Sequence, residues 1–110
     1  MTFEELQAMA RKSRRAGNTL AKRTDQTWSP SDLTSALCAD VTFVEYLVKA
    51  GTEADSPALA TALADVLWSL ANLADELNVD ITAAFAARHA EVLLEIKKAL
   101  TALDAGEYLT

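Results

Sequence analysis

Apolar residues recur along this chain at three- and four-residue steps and never gather into an alternating run, which is the pattern of helix faces turned to a core and not of strands. The densest stretch lies between residues 63 and 77, where Leu63, Val66, Leu67, Leu70, Leu73, Ala74 and Leu77 share one helix face. At about 100° per residue, Asp65, Ser69, Asn72 and Glu76 form a polar strip beside that face, and Trp68 projects almost opposite its centre. A helix apolar around so much of its circumference is hard to cover in a small monomer.

Boundary signals divide the chain into helices. Thr2 and Glu5 have capping-box spacing and start a first helix near Phe3, with Phe3, Leu6, Met9 and Ala10 on its apolar side. Gly17-Asn18 is expected to bend or fray it, since Gly costs about 1 kcal/mol against Ala inside a helix. Ser29-Pro30-Ser31-Asp32 supplies an N-cap, a first helical position and an acidic first turn for a second helix from Pro30 to about Ala50, ended by Gly51. Ser56-Pro57 repeats that signal for a third helix running to Leu77. Asp80 caps a fourth, from Ile81 to about Leu103, whose stripe is Phe85, Val92, Leu93, Ile96, Leu100 and Leu103. His89 falls inside this stripe and is expected as a hydrogen-bonded core residue, with no second His to build a zinc site. The expected fold is all-α, a bundle of four to five helices completed by dimerisation.

Length and charge refine the picture. The 110 residues suit one domain, with 1–25 as a basic N-terminal helix or arm and 26–104 as the bundle core. Residues 1–24 hold six Lys or Arg against two Glu, and residues 25–110 hold four against fourteen Asp or Glu. The basic segment, Arg11 to Arg23, fits phosphate or nucleic-acid contact, a solvated face, or a face packed against an acidic partner surface; without interleaved aromatics it lacks the stacking residues of a nucleic-acid binder, so nucleic acid is not an expected partner. The single Cys38 is expected as a buried structural thiol in a reducing cytosol. No secretory signal and no membrane span are read, which makes the expected location cytoplasmic.

One carboxylate breaks the apolar pattern. In the second helix Leu33, Ala36, Leu37, Val44 and Leu47 form the core stripe, and Asp40 sits in its middle. Burying an unpaired charge costs several kcal/mol, so Asp40 must be protonated, hydrogen-bonded, ion-paired (Arg88 is one candidate) or bound to a cation.

The run ADVLWSLANLADELNVDITAAF, residues 64–85, resembles the third-helix motif of the MazG-like all-α nucleoside triphosphate pyrophosphohydrolases, through Asp65, Leu67, Trp68, Leu70, Leu73, Asp80 and Phe85. Trp28-Ser29-Pro30-Ser31-Asp32-Leu33 is similar to the family's entry to its first motif helix, and the likeness covers roughly residues 26–98. The resemblance implies a Mg²⁺- or Mn²⁺-dependent release of pyrophosphate from a nucleoside triphosphate. In the family, carboxylates one helical turn apart on facing helices hold the metal. Carried over, Asp40 and Asp65 are the metal-binding and catalytic residues, Arg88 lies near phosphate, and Trp28 lies near the base. Three of the five motif positions hold Ala39, Phe43 and Ala62 in place of carboxylates. Two functions therefore stand as expectations. One is a MazG-like nucleotide pyrophosphohydrolase; the other is a catalytically degenerate homologue that binds nucleotide or another protein. A homodimer or larger homo-oligomer is expected in either case.

Overall fold

Every helix of this protein starts or stops where a side chain or a turn satisfies the backbone groups that a helix end leaves open. In the computed structural model the described residues are 1–23 and 29–105, without the side chains of 21–23, so Trp28 lies outside them. Four α-helices are present among them: α1 (Phe3–Arg23), α2 (Pro30–Lys49), α3 (Pro57–Glu76) and α4 (Ile81–Asp104). Before α1, Thr2 Oγ1 accepts from the Glu5 amide and Glu5 accepts from the Thr2 amide, both at 3.2 Å. At α2, Ser29 Oγ accepts from the Asp32 amide at 3.1 Å and Asp32 accepts from the Ser29 amide at 2.8 Å, closing the capping box. The Ser29 amide, and after it the Ser29 hydroxyl, which donates to Asp32 Oδ2 at 3.0 Å, lower the Asp32 carboxyl below its ordinary range. Asp80 caps α4 by accepting from the Ala83 amide at 3.0 Å.

The C-terminal ends of α2 and α3 use one motif. Gly51 takes φ 76°, and the amides of Gly51 and Thr52 donate back to the carbonyls of Val48 and Leu47 at 3.1 Å. Asn78 takes φ 57° after α3, with the Val79 amide donating to the Ala74 carbonyl at 2.9 Å. Asn tolerates the left-handed region better than other residues bearing a Cβ, and Gly best of all.

Two expectations about α1 and α3 are corrected. The helix α1 runs unbroken through Gly17 and Asn18. A Cβ at Gly17 would meet nothing within 4 Å, so the glycine sits on an open face and only its intrinsic propensity opposes the helix. In α3 the buried residues are Ala62, Ser69, Ala71, Asn72 and Ala74, whereas Leu63 and Leu77 are 52 % and 54 % exposed. The small and polar residues of α3 thus make up its buried side, while of the expected apolar face Ala74 is buried, Val66, Leu67, Leu70 and Leu73 are half-buried and the two end leucines are exposed. The helix packs against both α2 and α1. Small side chains let neighbouring backbones approach on two sides, and Ser69 and Asn72 can be buried because each is hydrogen-bonded.

On α2 the expected stripe holds: Leu33 is fully buried, and Ala36, Leu37, Val44 and Leu47 are half-buried. Cys38, expected inside, is exposed; it follows Leu37 by one residue and so lies about 100° off the stripe. By length and composition α3 could cross a membrane, yet its Asn72 and Asp75 bond to arginines of α1.

The chain divides into two compact units, Met1–Val79 and Asp80–Thr110. The first holds the three helices just described. The second consists, among its described residues, of α4, of which no residue is buried. His89, expected in a core, is exposed and stacks on Phe85 with ring centroids 6.1 Å apart and 9° between planes.

The left-handed turn at Gly51 gives a direct check. Gly51→Ala should lower unfolding free energy by about 1 kcal/mol, because an L side chain resists that conformation. The same change at Gly17, in open helical space, should raise it by some tenths of a kcal/mol or more. Urea unfolding of both variants followed by circular dichroism separates the two signs.

Candidate functional site

Two polar clusters flank α3, one facing α2 and one facing α1. On the α2 side, Asp40 is half-buried and its Oδ2 accepts a hydrogen bond from Ser69 Oγ at 2.6 Å. Ser69 is 2 % exposed, so this bond is shielded from water. Among the partners left open for Asp40 by the sequence, the structure provides a neutral hydroxyl on the facing helix. Asp65 stands one turn before Ser69 on the same flank of α3 and is exposed.

The remaining motif positions do not supply oxygen ligands. Ala39 is exposed, Ala62 is 2 % exposed, and Phe43 stacks on Tyr46 with centroids 6.3 Å apart. Among the described residues no group of three or more His, Cys, Asp or Glu side chains could hold a metal ion. Mg²⁺ prefers near-octahedral oxygen coordination and can make do with one or two carboxylates when substrate phosphates and waters complete it. Asp40 with one oxygen already engaged, plus an exposed Asp65, does not fit the multi-ion clamp that the five-carboxylate motif implies.

Arg88 lies on α4, in the other compact unit. Its Nη1 donates to Glu91 at 2.9 Å and stands 3.7 Å from Glu95. All three side chains are well exposed, so these pairs contribute little to stability.

The second cluster was not foreseen. From α1, Arg14 is 7 % exposed, and its Nη1 donates to both the carbonyl and the Oδ1 of Asn72 at 3.0 Å. Its Nη2 donates to Asp75 Oδ2 at 2.7 Å and lies 3.5 Å from Glu76. One turn earlier on α1, Arg11 Nε donates to the other Asp75 oxygen at 2.8 Å. Asp75 therefore receives one arginine on each oxygen. The Arg11 hydrogen bond is the largest influence on its carboxyl; partial burial opposes it, Arg14 reinforces it, and the balance holds Asp75 at about 2. The same bond raises the Arg11 guanidinium above its ordinary value.

The sequence did contain a signal for this network. Arg11 and Arg14 are three apart, Asn72, Asp75 and Glu76 are three and four apart, and the two sets have complementary chemistry on adjacent helix faces. Of the alternatives open for the basic run, Arg11 and Arg14 take packing against an acidic surface, and that surface belongs to α3 of the same chain.

Beside the clamp, α1 and α3 enclose an open groove of about 340 Å³ lined by Leu6, Met9, Ala10, Ser13, Leu67 and Trp68 among others. Trp68 Nε1 donates to Ser13 Oγ at 2.7 Å across it. The tryptophan that the helical wheel placed opposite the leucines is thus directed to α1.

No protein-family model, curated protein or solved structure matches this chain.

Asp75 carries a prediction with a defined sign. Its folded pKa lies below the ordinary 3.8, so the stability it confers is fully present above about pH 4 and is lost as pH falls through about 2. Over that window wild type should lose about 1–2 kcal/mol that Asp75→Asn does not lose, after allowance for solvent screening. At neutral pH, Asp75→Asn should cost about 3 kcal/mol, because it leaves the buried Arg14 without its principal carboxylate. Urea unfolding at several pH values checks both expectations.

Proposed function

We propose that this chain is a MazG-like helical scaffold without a working metal clamp, a catalytically degenerate homologue that acts in the cytoplasm as a protein-interaction module. The observation that carries the reading is the Asp40–Ser69 hydrogen bond. A carboxylate that the pyrophosphohydrolase reaction needs as a metal ligand is instead satisfied by a hydroxyl within the helix contact. Exposed apolar side chains on α2 give such a module material to bind with: Phe43 and Tyr46, 51 % and 65 % exposed, stack on one another at the surface.

A second reading, Mg²⁺- or Mn²⁺-dependent nucleoside triphosphate pyrophosphohydrolase, has one specific observation in its favour. The bond from Ser69 to Asp40 turns the Asp65 flank of α3 toward the Asp40 side of α2, as two facing carboxylate helices require. Nucleic acid is the weakest partner, since Arg11 and Arg14 of the basic segment are already committed to Asp75.

Pyrophosphate release from standard and modified nucleoside triphosphates, with Mg²⁺ or Mn²⁺, separates the readings. Wild type, Asp40→Asn and Asp65→Asn should all remain at the protein-free background. Metal-dependent turnover by wild type that falls at least tenfold in Asp40→Asn would establish the enzyme instead.

A further inference from the structure

We draw no further inference here: the strongest candidate, the groove between α1 and α3 lined by Leu6, Met9, Ala10, Ser13, Leu67 and Trp68, carries nothing because nothing in the structure shows what covers it.

Discussion

The contact of Arg11 and Arg14 with Asp75 and Asn72 is what the three-helix unit depends on most. Its buried carbon is scant: among the described residues Ala10, Leu33, Ala62, Ala71 and Ala74 are the buried apolar ones, and only one is larger than alanine. Small side chains bring helices close and bury little apolar area each, so the hydrophobic term that usually dominates is weak here. The arginine clamp offsets part of that deficit between α1 and α3. It also fixes the rotation of α1, because two guanidinium groups one turn apart meet the two oxygens of one carboxylate.

That constraint explains why α3 is turned as it is. With Asn72 and Asp75 committed to α1 and Ser69 committed to Asp40 on α2, the polar flank must lie inside. Leu63 and Leu77 are then left outward. A helix oriented by its polar bonds leaves the leucines at its two ends exposed and those between them half-buried. The same polar bonding engages one oxygen of Asp40 in the contact between α2 and α3.

Much of the fold was legible in the sequence. The cap residues Thr2, Ser29 and Asp80, the prolines at the starts of α2 and α3, and Gly51 act through local geometry that a few neighbouring residues determine. The stripe of α2 was legible from its spacing: Leu33 is buried and Leu37, Val44 and Leu47 are half-buried on a helix that packs against α3. The inward side of α3 was not, because a helical wheel ranks faces by hydrophobicity and has no means of crediting a polar residue with a partner 58 positions away, as Arg14 is from Asn72. His89 was placed in a core because it falls within the α4 stripe, which holds no buried residue, and Cys38 because its neighbours are apolar, although it lies about 100° off the α2 stripe. Of the candidate site, Asp40 was correctly singled out as a half-buried carboxylate in need of a partner. The partner itself, Ser69, lay in the polar strip already noted, and only the facing of the two helices joins them.

The account turns on whether Asp40 holds a hydroxyl or a metal, and the most direct measurement is thermal unfolding of wild type, Asp40→Asn, Ser69→Ala and the double variant with and without millimolar Mg²⁺. A packing role predicts a favourable Asp40–Ser69 coupling of about 1 kcal/mol and a midpoint that Mg²⁺ does not move. A metal site predicts the opposite, because an ion bound only by the folded state raises its stability by mass action. A Mg²⁺-dependent rise in the wild-type midpoint that vanishes in Asp40→Asn would contradict the account.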